Sequence, residues 1–239
     1  MRSHLFDTAN AEVQTGERWV KQNSKMVRTS FGPDVLAVKG VMVAYQGQIT
    51  FNHEGSGSVG KFIRRALTNE DTPLMRVAGQ GEVFFARLAQ DVFFVELTGD
   101  ALSVNGTNLL AFDAALEWDV HRVQGAGMMT GGLFNTLIKG NGTIALSTDG
   151  PPALLDCSQQ PTYVDIQAAV AWSANLNPQV VSSMNVRSLL RGGSGEAFQY
   201  AFHGPGFVVV QPSEGMPIGG QQNGGGGGGA ARGLGDLFG

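Results

Sequence analysis

Three segments of the chain share one pattern, in which an apolar run, a Gly-x-Gly and a second apolar run follow one another. The segments are Leu74–Ala86, Leu133–Leu146 and Phe198–Gln211. Their first glycines, Gly79, Gly140 and Gly204, are spaced 61 and 64 residues apart. Self-similarity at a fixed period is the signature of an architecture built from repeated structural units. The sequence therefore predicts β-units of about 60 residues.

The glycines of these pairs are predicted to be structural turns between the two strands of each unit. They are Gly79, Gly81, Gly140, Gly142, Gly204 and Gly206. Glycine suits such positions because it tolerates positive φ and allows a neighbouring backbone to come close. A phosphate cradle is the functional alternative, but it requires a helix N-terminus after the glycines, and the sequence indicates none there. We therefore interpret the pairs as structural.

Short alternating runs predict strands along the rest of the chain. Val41–Tyr45 and Ile49–Phe51 flank Gln46-Gly47, which predicts a tight hairpin. Asp91–Leu97 is rich in β-formers, and Leu116–Val120 alternates as a half-buried strand does. Turn signals recur about every ten residues, which is typical of a sandwich or barrel. The fold class is therefore all-β.

One short helix or an ordered loop is expected over Gly60–Thr68, because Phe62, Ile63 and Leu67 could share a face there. A weaker likeness pairs Leu109–Trp118 with Tyr163–Trp172 and supports the repeat.

Residues 1–212 are predicted to form a single domain, which is long enough to bury a core without disulfides or metals. Its units run roughly over 1–73, 74–132 and 133–196, and 197–212 supply the closing strands.

The remaining residues, 213–239, are predicted to form a disordered glycine-rich tail. Such a composition cannot bury enough apolar surface to offset the entropy of ordering. The tail is expected to act as a flexible tether. Leu234, Leu237 and Phe238 at its tip are either a short docking motif or part of an inert end.

Charge and cysteine content narrow the classes of function and compartment. Only 15% of the residues are charged, and the net charge of −4 has the wrong sign for a general nucleic-acid binder. The single cysteine, Cys157, allows no intrachain disulfide and fits a reducing compartment. No signal-peptide pattern and no apolar run of membrane-spanning length is visible, so the expected location is cytoplasmic.

Catalytic and cofactor motifs are not found in the sequence. The glycines of Gly125–Gly132 superficially match a dinucleotide loop, but the strand-to-helix context is missing, so we interpret the segment as a connection between repeats. His4, His53, His121 and His203 lack metal-ligand spacing. Cys157 follows a strand-like run and is expected to be a buried, unreactive thiol. We therefore expect no enzyme activity, no cofactor and no metal.

One basic cluster is a candidate contact for an anion. Lys61, Arg64 and Arg65 could bind phosphate, RNA or an anionic lipid surface. The alternative is a solvated face, because Glu70 and Asp71 follow closely.

The segment Lys39–Gly47 resembles the early strand of a known family. The three Gly-x-Gly segments and the closing Gly204–Pro212 resemble the rest of its pattern. This is the family named for altered inheritance of mitochondria, protein twenty-four, which has many bacterial members. The similarity runs from about Leu36 to Pro212.

The resemblance implies a fold like that of the tryptophan RNA-binding attenuator protein, with stacked β-sheets of double-stranded β-helix type. It also implies homo-oligomers, by analogy trimers. The mitochondrial relatives are associated with inner-membrane organisation and respiratory-complex assembly. The RNA site of the attenuator protein has no matching residues here, and fold analogy alone does not transfer function.

Three functions follow from these observations. The first is a non-catalytic homo-oligomeric scaffold or interaction protein with an unidentified protein partner. The second is a module that binds nucleic acid or an anionic membrane surface, with peripheral membrane association as one form of it. The third is small-molecule binding in the mouth of a β-barrel, which would require a polar pocket with perturbed titratable groups.

Overall fold

A computed structural model of the chain describes residues 2–54, 74–123, 134–181 and 198–213. Within these ranges the chain forms fifteen β-strands and two 3-10 turns, His4–Phe6 and Thr8–Asn10. The strands are β1 (Trp19–Asn23), β2 (Met26–Ser30), β3 (Val35–Val38), β4 (Met42–His53), β5 (Leu74–Phe85), β6 (Asp91–Asn105), β7 (Leu109–Asp113), β8 (Glu117–Arg122), β9 (Phe134–Thr148), β10 (Ala153–Asp156), β11 (Thr162–Asp165), β12 (Ala169–Ser173), β13 (Gln179–Val181), β14 (Gln199–Phe202) and β15 (Phe207–Val210). The expectation of an all-β chain is confirmed.

The strands form two antiparallel sheets. Twelve strands make an open sheet in the order β1-β2-β5-β3-β7-β9-β6-β12-β15-β10, with β4 paired to β5 and β8 paired to β9 beside this path. The second sheet contains β11, β14 and β13. The large sheet ends at β1 and β10, so it is not a closed barrel.

Two long strands change partners halfway along. In β5, Leu74–Val77 pairs with β3 and Glu82–Phe85 pairs with β2, while β4 follows β5 along almost its whole length. In β9, Phe134–Lys139 pairs with β8 and Ile144–Leu146 pairs with β7, while β6 follows β9 throughout. Strands that pass from one packed layer to the next do so at bends of this kind.

The hairpin predicted at Gln46-Gly47 is wrong. β4 continues through these residues, and Gly47 pairs with Gly81 in an unbroken run of partners from Ala44 to His53. Gly47 has a φ of +90° and bends the strand. The rings of Tyr45 and Phe51 lie only 5.3 Å apart, whereas a straight strand would separate these positions by about 20 Å.

Other strands lie where the alternation placed them. Asp91–Leu97 forms the first half of β6, and β8 contains the half-buried Trp118 and Val120 between exposed Glu117 and Asp119. The helix expected over Gly60–Thr68 lies outside the described residues.

The buried side chains form two clusters. The larger cluster lies beneath β2, β3, β5, β6, β7 and β9 and contains Phe85, Phe112 and Ile144, none of which is exposed. The smaller cluster lies between the three-stranded sheet and the end of the large one. Its centre is an aromatic group of Trp172, Tyr200 and Phe202 with ring centroids 5.2–5.9 Å apart.

Cys157 belongs to the smaller cluster and is fully buried, which confirms the expected buried thiol. Burial also raises the pKa of the Tyr200 hydroxyl in this cluster above its ordinary range.

Candidate interaction surface

All six glycines of the Gly-x-Gly pairs have a positive φ, between +121° and +156°. The prediction that they are turns is nevertheless wrong for four of them, because Gly79 and Gly81 lie inside β5, and Gly140 and Gly142 lie inside β9. Gly204 and Gly206 do lie between two strands, β14 and β15. A bend at positive φ interrupts the side-chain alternation as a turn does, but the strand and its hydrogen bonds continue past it.

The first pair allows β4 and β5 to cross in close contact. A Cβ on Gly81 would overlap the carbonyl oxygen of Gln46 and lie 2.9 Å from its carbonyl carbon. A Cβ on Gly79 would overlap the carbonyl oxygen of Gln48 in the same way. No side chain fits at either position without separating the two strands.

The second and third pairs share one local geometry. A Cβ on Gly142 would lie 3.1 Å from Asp113 Oδ2, and the next amide, Thr143 N–H, donates to that oxygen at 2.8 Å. A Cβ on Gly206 would lie 3.0 Å from Ser173 Oγ, and Phe207 N–H donates to it at 3.1 Å.

The strands that end in Asp113 and Ser173 also match in register. β7 pairs with β9 through Leu109–Leu146, Ala111–Ala145 and Phe112–Ile144. β12 pairs with β15 through Ala169–Val210, Ala171–Val209 and Trp172–Val208. Both ladders slip at the same point. The segment that matches Leu109–Asp113 is therefore Ala169–Ser173, and the predicted match of Leu109–Trp118 with Tyr163–Trp172 is wrong.

Asp113 also links the start of β1 to the bend of β9 at Gly142. Its Oδ1 accepts hydrogen bonds from the guanidinium of Arg18 and, at 3.0 Å, from the indole Nε1–H of Trp19. The Arg18 guanidinium lies 5.7 Å from the centre of the Trp19 ring.

Among the described residues, the outer edge of β4 is the longest open strand edge, and the sequence did not predict it. β4 is twelve residues long and contains no Asp, Glu, Lys or Arg. Within the described residues it pairs with β5 alone. Val43 and Tyr45 are 52% and 50% exposed. We call the open edge of β4 with these two side chains the β4 surface.

The end of the large sheet at β10 offers a smaller exposed edge. All four residues of β10 are exposed, and Leu154 is 64% accessible. β10 is only four residues long, and short edge strands are poor templates for pairing. It is therefore a weaker candidate than the β4 surface.

A cavity of about 310 Å³ is lined by His121 together with Ser103. His121 Nε2 lies 3.5 Å from Ser103 Oγ, and Asn135 Nδ2 donates to that hydroxyl at 3.1 Å. Burial lowers the pKa of His121, and Asp119 opposes this shift. His121 Nδ1 is buried and has no hydrogen-bond partner in the described part of the chain.

This pair does not have the geometry of a nucleophile and its base. A separation of 3.5 Å is at the limit for a hydrogen bond. The base of such a pair is normally oriented through its second nitrogen, and Nδ1 of His121 has no acceptor to do this. The cavity contains one titratable group with a shifted pKa, but most of its lining is apolar, so it meets only part of what the small-molecule alternative requires.

Several predicted site residues cannot be placed. Lys61, Arg64 and Arg65, the Gly125–Gly132 segment and the tail with Leu234, Leu237 and Phe238 all lie outside the described residues. Among the residues that are described, no helix is long and apolar enough to cross a membrane. No group of three or more His, Cys, Asp or Glu side chains converges there as metal ligands.

Comparison with known proteins supports the resemblance found in the sequence. The fold is similar to the X-ray crystal structure of protein SPYM3_0169 from Streptococcus pyogenes, with a TM-score of 0.63 and 20% identity over 82% of this chain and 92% of that one. No functionally curated protein matches the chain. The sequence model of the mitochondrial biogenesis AIM24 family matches residues 18–213. Since this match covers most of the chain, the protein belongs to the AIM24 family.

Proposed function

We propose that the chain is a non-catalytic homo-oligomeric interaction protein whose copies contact one another through the β4 surface. The observation that supports this most directly is the length and lack of charge of the β4 edge. Natural proteins protect exposed edge strands by shortness, charge, proline or a covering element. Within the described residues β4 is neither short nor charged, contains no proline and is covered by no other strand, and its one bulge, between Met42 and Ala44, leaves the run from Ala44 to His53 open. A second copy of the chain is the covering element that we propose.

We also infer that residues 91–148 and 153–210 are two copies of one unit of double-stranded β-helix type. The matching ladders at β7–β9 and β12–β15 support this inference. The matching amide bonds to Asp113 and Ser173 support it independently. The resemblance to the family adds the expectation, by analogy, that three subunits assemble.

The test is to place a charge on the β4 surface and to measure the mass of the particle in solution. A lysine in an open edge opposes strand pairing, because pairing would bury its charge. We expect the wild-type protein to be an oligomer by light scattering after size exclusion, and Tyr45→Lys to dissociate towards the monomer of 25.2 kDa.

The matched control is Gln159→Lys, which adds the same charge at an exposed turn far from β4 in sequence. This variant should keep the wild-type mass, and circular dichroism should show that both variants keep their strands. A monomeric wild-type protein, or a Tyr45→Lys protein of unchanged mass, would refute the proposed interface.

A further inference from the structure

A second cavity, of about 420 Å³, lies at the other side of β8 and is mostly apolar. Its apolar wall comes from four separate parts of the chain. The wall residues are Val38, Val41, Leu74, Leu109, Trp118 and Val120. Cavities of this size and composition are typical of small-molecule sites. We call it the Arg87 cavity, after its most unusual lining residue.

Arg87 is a partly buried cation without a carboxylate partner in the described residues. Its Nη2 donates to the carbonyl oxygen of Leu109 at 3.0 Å, and its Nη1 donates to that of Thr107. Both acceptors are neutral. Burial lowers the pKa of Arg87, and no carboxylate in the described part of the chain opposes this shift. A guanidinium has five N–H donors, so three remain for another ligand.

The other buried or partly buried arginines that form ion pairs do so with carboxylates from distant parts of the sequence. Arg18 pairs with Asp113, Arg28 with Glu82, and Arg76 with both Glu54 and Asp34. Buried charges are ordinarily paired, because an isolated charge in an apolar setting is unfavourable. Arg87 departs from this pattern at the wall of a cavity.

The other charged residue of the lining, Lys39, is also a cation. Lys39 also lines the cavity, is exposed, and forms no ion pair within the described residues. None of the aspartates and glutamates in the described ranges lines the cavity. The site therefore combines a hydrocarbon-like wall with two cations and no anion.

The rim beside Arg87 is held in an unusual backbone conformation. Leu88 and Ala89 have φ values of +46° and +56°, although neither is glycine, and the Leu88 side chain is 91% exposed. The turn is closed by Gln90 N–H donating to the Arg87 carbonyl oxygen at 2.8 Å. Strained residues of this kind persist where the surrounding structure fixes them, often at ligand sites.

The anchoring of this turn comes from the Gln90 side chain. Its Nε2 donates to Asp149 at 2.7 Å, and its Oε1 accepts from Ser147 at 2.8 Å. Gln90 also lines the cavity. The turn, and with it the Arg87 guanidinium, is thereby fixed before any ligand arrives.

We propose that the Arg87 cavity binds a single-chain aliphatic carboxylate, with the carboxylate on Arg87 and Lys39 and the hydrocarbon against Trp118 and the aliphatic wall. The carboxylate matches the planar fork of the guanidinium and supplies the charge that Arg87 lacks. The apolar wall accounts for the hydrocarbon part of the ligand. This site is separate from the β4 surface and does not depend on the proposed assembly.

The test is calorimetric titration of the full chain with dodecanoate, below the concentration at which it forms micelles. Methyl dodecanoate is the matched ligand, since it has the same chain and no charge. We expect dodecanoate to bind at least tenfold more tightly than its ester. Arg87→Gln should weaken dodecanoate binding by about ten- to a hundredfold, because it removes a charge-assisted pair.

Arg87 also holds the β6–β7 turn through its two carbonyl contacts, so its replacement could disturb folding. Lys39→Glu avoids this difficulty, because Lys39 is exposed and only its charge is reversed; it should weaken dodecanoate at least tenfold and leave the ester unchanged. Arg76→Gln, away from the cavity, is the control and should bind as the wild type does.

Three results would overturn the proposal. Equal binding of acid and ester would make the cavity a non-specific apolar site. Unchanged binding by Lys39→Glu and a folded Arg87→Gln would remove the two cations from the site. Failure of dodecanoate to bind, with or without binding of the protein to vesicles of anionic phospholipid, would exclude a free aliphatic carboxylate as the ligand.

Discussion

Replacing Gly81 by alanine tests the close crossing of β4 and β5 directly. Gly81 combines two constraints, a φ of +139° and a backbone carbonyl where a Cβ would stand. Two other glycines provide the comparison, one with the positive φ alone and one with neither constraint. Gly99 has a φ of +94° but open space around it, and Gly106 has open space and no positive φ. The three alanine variants therefore form a graded series.

The expected losses follow from these differences. Gly106→Ala should change the free energy of unfolding by no more than about 0.5 kcal/mol. Gly99→Ala should lower it by about 1–2 kcal/mol, which is the usual penalty for an L-residue at positive φ. Gly81→Ala adds overlap with the Gln46 carbonyl, and moving β4 away costs a further 1–3 kcal/mol or so. Its total loss should be about 2–5 kcal/mol.

Urea unfolding at one fixed protein concentration measures these losses, and thermal unfolding provides a second measurement. For a chain of this length, a loss of about 2–5 kcal/mol lowers Tm by roughly 4–20 °C. The protein concentration must be constant because assembly would contribute to stability. If Gly81→Ala lost no more stability than Gly99→Ala, the close approach of Gln46 would have no energetic meaning and the reasoning would be refuted.

Two further predictions concern other parts of the fold. Asp113→Ala should lower the free energy of unfolding by about 2–4 kcal/mol, since it removes the acceptor of Arg18, Trp19 and Thr143. Ser173→Ala removes the acceptor of Phe207 alone and should cost only about 1 kcal/mol. Equal losses of the two variants in urea unfolding would contradict the role of the ion pair. Because burial holds the pKa of His121 below its ordinary 6.5, the unfolded chain takes up this proton first as the pH falls. The contribution of His121 is thus fully present above about pH 6.5 and decreases below it, so urea midpoints of His121→Gln between pH 7.5 and 5 should vary less with pH than those of the wild type.

The strands were predictable because side-chain alternation is a local property. β6 and β8 lie where Asp91–Leu97 and Leu116–Val120 indicated, and the fully buried Cys157 follows the predicted run of β10. The positions of the bends were equally visible, since glycine is the residue that tolerates positive φ. Local sequence could not distinguish a bend inside a continuing strand from a turn that ends one, because that depends on which distant strand pairs alongside.

The candidate sites could not be found for a related reason. The Arg87 cavity collects residues from β3, the β6–β7 turn, β8 and β9, which are separated by up to 98 residues between Val38 and Thr136. Ser103 and His121 are brought together by the registers of β6 and β8 against β9. Neither register is encoded in a short segment, and the exposure of β4 depends on which strands fail to pair with it.

The mistaken alignment of Leu109–Trp118 with Tyr163–Trp172 has a physical cause in the surroundings of the two segments. The fold equates Phe112 with Trp172 and Asp113 with Ser173, 60 residues apart, although neither pair shares a residue type. Asp113 accepts hydrogen bonds from Arg18 and from Trp19 at the start of β1, whereas within the described residues Ser173 Oγ accepts only from Phe207 N–H. Both side chains thus accept a hydrogen bond from the amide that follows the second glycine of a pair, Thr143 N–H or Phe207 N–H. Their other neighbours differ, and so do the residue types. Residue identity, as between Trp118 and Trp172, is therefore a poorer guide to the proposed repeat than the positive-φ glycines and the hydrogen bond that follows them.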